Sequence, residues 1–199
     1  MNDNCLNGQF PDLAIRNFES TFHETSARKV VDDGEDPLDP FVVSESNKAG
    51  GVRCLDFDNI KLHYYPPRPS VHTPCSVDAV TFEMCGTFLI EFKFKTAKLE
   101  NITRKIYDSV MLFIEKNGFT FERARKEFTY IVVSSGLRNW KSSERALLKA
   151  YSYCKNPWVS LRACYDRWKL ESLEGVVVKA AYAMPPDMFE FFVGKMHWR

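Results

Sequence analysis

The segment 76–95, SVDAVTFEMCGTFLIEFKFK, holds two acids and a lysine whose types and spacing can do chemistry: Asp78, Glu91 and Lys93. In a β-strand alternate side chains share a face, so TFLIEFKFK puts Phe88, Ile90, Phe92 and Phe94 on one side and Leu89, Glu91, Lys93 and Lys95 on the other. A hairpin centred between Met84 and Cys85 pairs residue 82 with 87 and hence 78 with 91, so Asp78 faces Glu91. Two carboxylates at that separation, with Cβ atoms roughly 5 Å apart, repel unless something neutralises them. Lys93 can do part of this. A hard divalent cation, Mg²⁺ or Mn²⁺, does it more completely, because it takes carboxylate oxygens, a backbone carbonyl and waters in one shell. Such an ion activates water and offsets charge developing on a phosphodiester, and a lysine ammonium beside it is a fixed donor for the attacking water or the phosphate. The plainer reading is a solvated hairpin face with a surface salt bridge. The register-matched acid, the hydrophobic strand around Glu-Phe-Lys and the basic helix that follows together favour a site.

The elements that must position these residues can be read from periodicity. A first helix is expected over 11–24, from Pro11 and the spacing of Ile15, Phe18 and Phe22, followed by an acidic, Pro- and Gly-rich loop within 31–51. Residues 52–65 alternate as a strand or two, and the prolines of 64–74 require an extended run. The hairpin follows. Ile102, Ile106, Val110, Phe113 and Ile114 mark a helix over 101–117, stopped at Asn117-Gly118. FTYIVVSS (128–135) reads as a strand, 142–154 as a helix and 176–183 as a late strand, with a short helix opening at Pro185-Pro186-Asp187 and running through Phe192. The expectation is one α/β domain over 1–199 with its core at 76–135: a mixed central sheet with helices on its faces.

Composition bounds the rest. With 199 residues and 45% hydrophobic content the chain can bury a sizeable core, and no window approaches a membrane span. With no secretory leader visible, a cytoplasmic protein is expected, without a membrane partner. The six cysteines are scattered and expected to be reduced, and a zinc set drawn from Cys54, His63, His72 and Cys75 has unsuitable spacing. The net charge of +1 hides an asymmetry: 7 basic against 15 acidic residues in 1–92, then 14 against 6 in 93–155. That can set a phosphate-attracting surface beside an acidic pocket. Trp140, Trp158, Tyr165 and Trp168 among arginines read as core with a charged rim. There is no P-loop, dinucleotide fingerprint or nucleophile elbow.

The order strand with Asp78, turn, strand with Glu91-Phe92-Lys93, then helix resembles the PD-(D/E)XK, or restriction-endonuclease-like, superfamily over roughly residues 76–117, and more loosely out to 128–135. The resemblance implies that Asp78 and Glu91 bind Mg²⁺ with the Phe92 carbonyl, and that Lys93 serves catalysis. Val77 stands where the signature has proline. The acid often supplied by a first helix has Glu19 and Glu45 as candidates. The following helix is expected to start beside the acidic pocket, and the resemblance implies that a basic residue on it supports the site, with Arg104 and Lys105 as candidates; these two and Lys98, just before the helix, are also the candidates for contacting nucleic-acid phosphates. The expected function is metal-dependent hydrolysis of phosphodiester bonds, DNA being favoured over RNA as partner. The alternative is a non-catalytic module of the same fold that binds nucleic acid or a protein. No oligomeric state is specified by the sequence.

Overall fold

A computed structural model describes residues 18–26, 51–69, 73–83, 86–93, 98–134 and 168–195. The expected helix over 142–154 and the expected loop over 31–50 lie outside these residues, as does Glu45. The strands are β1 (Glu19–Thr21), β2 (Arg53–Asp56), β3 (Ala79–Glu83), β4 (Gly86–Lys93), β5 (Phe128–Ser134) and β6 (Ala180–Met184). They form one sheet in chain order. β1 to β4 pair antiparallel, while β4, β5 and β6 run parallel, so the sheet is mixed.

The hairpin register is the one read from the sequence: Phe82 pairs with Thr87 and Ala79 with Ile90. Gly86 makes the close approach at the start of β4 possible. Its φ is +141°, and a Cβ there would lie 2.6 Å from the backbone carbonyl of Glu127. Side chains of more than glycine size would meet both obstacles.

Helix α1 spans Phe57–Tyr64, α2 Leu99–Asn117, α3 Phe121–Glu127 and α4 Pro186–Lys195. α2 buries Ile102, Ile106, Val110 and Phe113, the stripe its periodicity marks, and ends at Gly118 in the left-handed conformation. Phe113 stacks on Phe57 of α1 at 5.1 Å and meets Phe82 and Phe128 edge-on, which fixes α1 and α2 on one face of the sheet. The opposite face carries Phe92, which packs on Phe22 and on Phe189 of α4 at 6.4 and 6.0 Å. Helices thus cover both faces, and no described helix is long and apolar enough to cross a membrane.

Three expectations are corrected. The segment 18–26 is not one helix: Glu19–Thr21 pairs with Arg53–Leu55, and α-helix covers 22–26. The local reason is a capping box, in which Thr21 Oγ1 accepts from Glu24 N at 3.2 Å and Glu24 Oε2 accepts from Thr21 N at 2.8 Å. Within 52–65 only Arg53–Asp56 is a strand, because Asp56 caps a helix by accepting from Asn59 N at 3.1 Å. The late strand is Ala180–Met184, and the valine run before it makes a turn bridged between Glu174 and Val178.

Candidate functional site

The segment entering β3 is pinned from three sides, and this sets Asp78. Val77 N donates to the buried Ser109 Oγ of α2 at 2.9 Å, and Cys75 N donates to Asp108 Oδ2 at 2.8 Å. Asp78 N donates to Ile90 O at 3.0 Å, while its carbonyl accepts from Phe57 N, at the start of α1, at 3.1 Å. Every one of these backbone groups is buried or half-buried and satisfied, so the aspartate has little freedom to move.

Its carboxylate is then shared. Asp78 Oδ2 accepts from Phe92 N at 2.6 Å, and Oδ1 lies 3.1 Å from Lys105 Nζ. The same ammonium lies 2.8 and 2.9 Å from the two Glu91 oxygens. Lys93 Nζ forms an ion pair with Glu91 Oε1. Asp78 and Glu91 are 2% and 0% exposed, so this is an interior cluster of two acids and two lysines rather than a surface salt bridge. The Phe92 carbonyl has a defined direction as well. Ile90 turns its carbonyl to the β3 edge, and Phe92, two residues on, turns its backbone to the same edge, beside the Asp78 carboxylate.

Burial, reinforced by the charge of Asp78, outweighs Lys105 and Lys93 and pushes the Glu91 carboxyl up to about 7. Lys105 goes the other way from a lone buried lysine: burial pulls it down, but Glu91, Asp78 and Asp58 together hold it above the ordinary lysine value, so it stays charged. Tyr130 of β5 is pushed well above 10 by burial and by Glu91 and Asp78, and its hydroxyl donates to Ile102 O at 3.3 Å, tying the first turns of α2 to the sheet. Ser134, aligned with Lys93 across β4 and β5, is fully buried, and its Oγ has no hydrogen-bond partner among the described residues.

Of the residues singled out from the sequence, Asp78, Glu91, Phe92 and Lys93 meet at one end of the hairpin. Lys105 joins them: its side chain is only 15% exposed and bridges the two acids, so of Arg104 and Lys105 it is the one that reaches the acidic cluster. Lys98 is exposed at the N-cap of α2, and Arg104 is half-exposed, 3.5 Å from Asp108. Glu19 is neither helical nor in the site, because it pairs with Arg53 across β1 and β2. The acid that a neighbouring helix does bring close is Asp58 of α1. Burial raises its carboxyl, but Lys105, the Ser76 hydroxyl and Lys61 outweigh that and bring it below the usual range. The signal for it was the Asp56-x-x-Asn59 cap, which places Asp58 in the first turn of a helix.

Two hard carboxylates and a backbone carbonyl on the same edge are the donor types that a magnesium-like ion takes, and the Lys105 ammonium now lies between the two acids in place of such a cation. Among the described residues no group of three acidic, histidine or cysteine side chains is gathered to hold a metal, so any ion here would complete its shell with the carbonyl and water. No protein-family model, characterised protein or solved structure matches this chain.

Proposed function

We propose that this chain is a metal-dependent nuclease of the PD-(D/E)XK, restriction-endonuclease-like kind, hydrolysing phosphodiester bonds in DNA or RNA. The observation that carries the reading is that Asp78 and Glu91, opposed on one sheet face, share a single cation, the Lys105 ammonium, with Lys93 beside them. The antiparallel pair bearing these residues, followed by α2 and a strand parallel to β4, also has the order that the superfamily resemblance calls for. Asp78 and Glu91, with the Phe92 carbonyl, are the residues that would hold Mg²⁺ or Mn²⁺. Such an ion lowers the pKa of bound water and offsets charge on the phosphate. Phe92 N fixes one Asp78 oxygen and leaves the other turned inward for binding. Lys93 supplies a positive donor on the same face for the attacking water or the phosphate oxygens.

The test is cleavage of single- and double-stranded DNA and of RNA with Mg²⁺, with Mn²⁺ and with a chelator. Metal-dependent cleavage that Lys93→Ala and Asp78→Asn each abolish, with the fold retained by circular dichroism, is the expected result. One observation favours a second reading, a non-catalytic module that binds nucleic acid or a protein: the two lysines already balance the two acids in charge. Binding without cleavage under any metal would select it.

A further inference from the structure

We infer that Lys105 is a resident stand-in for the divalent ion, displaced when metal enters and then available at the mouth of the site to meet a phosphate; this rests on the metal-site reading above. The ammonium lies 3.1 Å from Asp78 Oδ1 and 2.8 and 2.9 Å from the Glu91 oxygens. An ion ligated by the same two side chains at about 2.1 Å needs the same space. Two cations cannot share it, because the ligand oxygens are the same and the cations repel.

Which partner yields follows from how each is held. Asp78 is fixed by its backbone bonds to Ile90 and Phe57, and Glu91 lies within the β4 ladder between β3 and β5. Lys105 is attached only through a flexible four-carbon stem on α2, and its side chain is 15% exposed, so it has a route outward. Among the described residues Lys93 forms its ion pair with Glu91 and none with Asp78, so it does not bridge the acids. The consequence is a coupling: loading the metal frees a cation beside it, and the phosphate-binding charge is presented only when the ion is in place.

Reactivity of the lysine amines reads this directly in the wild-type protein. A brief acetic anhydride pulse, with modification at each lysine measured by mass spectrometry, is compared in chelator and in saturating Mg²⁺, with thermal stabilisation reporting whether Mg²⁺ binds. The expected result is a several-fold rise in Lys105 labelling with Mg²⁺, while Lys116 and Lys126, on the far turns of α2 and on α3, stay constant. In parallel, Lys105→Gln should bind Mg²⁺ more tightly than wild type by calorimetry, since the competing charge is gone. If Mg²⁺ stabilises the protein but Lys105 labelling is unchanged or falls, the stand-in role is wrong and the metal site survives. Should Mg²⁺ bind neither wild type nor Lys105→Gln, the metal reading fails and takes this inference with it. If Lys105→Gln does not fold, wild-type labelling decides alone.

Discussion

At the scale of single residues the site is governed by Glu91, fully buried and facing Asp78 just before β3, Lys93 of its own strand, Lys105 of α2 and Tyr130 of β5. Its carboxyl titrates up at about 7 in the fold against an ordinary 4.5. A raised pKa means that the folded state holds the proton more tightly, so the stability this group contributes is fully present below about 4.5 and is lost as pH rises through about 7. Glu91→Gln removes the titration and keeps the shape. Relative to that variant, wild type should lose stability between these two pH values, by on the order of 3 kcal/mol at most, and then level off. Urea unfolding of both proteins at half-unit pH steps measures this. A difference that is flat, or that grows in favour of wild type, would show that the two lysines hold Glu91 ionised throughout. Metal binding should follow the same window, strengthening as Glu91 gives up its proton.

At the scale of elements, Ser109 shows how a helix positions a strand residue. Its buried hydroxyl accepts from Val77 N, the residue before Asp78. Ser109→Ala leaves that N–H buried without a partner and should cost about 1–3 kcal/mol, with weaker metal binding than this loss alone would explain. Unchanged thermal and chemical stability would mean that another group takes over the contact. Gly86→Ala tests the other end of the hairpin: with φ at +141° and a Glu127 carbonyl 2.6 Å from the added Cβ, destabilisation by about 1–3 kcal/mol is expected in a thermal melt. These elements were unequally legible in the sequence. The hairpin register followed from two-residue alternation and a central turn, and α2 from its spaced apolar residues and Gly118. The convergence of Asp78, Glu91 and Lys93 followed from the register alone. α1 and α3 were missed because each is short and buries few residues, Phe57 and Ile60 in one and Ala124 in the other, so only their caps at Asp56 and Thr120 announce them. β1 was hidden inside a helical spacing because three residues of strand are decided by pairing with β2, which local pattern does not contain. That the first turns of α2 lie beside the acids was legible from the short connection after β4, but which of Arg104 and Lys105 turns inward depends on the angle at which α2 crosses β4, and neither element's periodicity encodes it.

At the scale of the whole molecule the question is where a long polyanion would run, and the net charge of +1 gives no direction by itself. If the nuclease reading holds, the direction comes from the start of α2, where Lys98, Arg104 and Lys105 stand in three different states. Lys98 is exposed at the N-cap, Arg104 is half-exposed beside Asp108, and Lys105 is turned inward between two acids. Each cation that neutralises a phosphate contributes close to one unit to the slope of log affinity against log salt, whereas a cation already paired in the interior contributes none. Binding of a non-cleavable duplex, measured from low to moderate salt, therefore separates the three. Lys98→Ala and Arg104→Ala should each weaken binding and flatten the slope by about one unit, with or without metal. The effect of Arg104→Ala should be the smaller in affinity, because Asp108 competes for the guanidinium. Lys105→Ala should leave the slope unchanged in chelator and flatten it by about one unit only when Mg²⁺ has freed the ammonium. A Lys105 contribution equal in both conditions would place its charge on the surface at all times, and three unchanged slopes would move the path of the nucleic acid off α2 altogether.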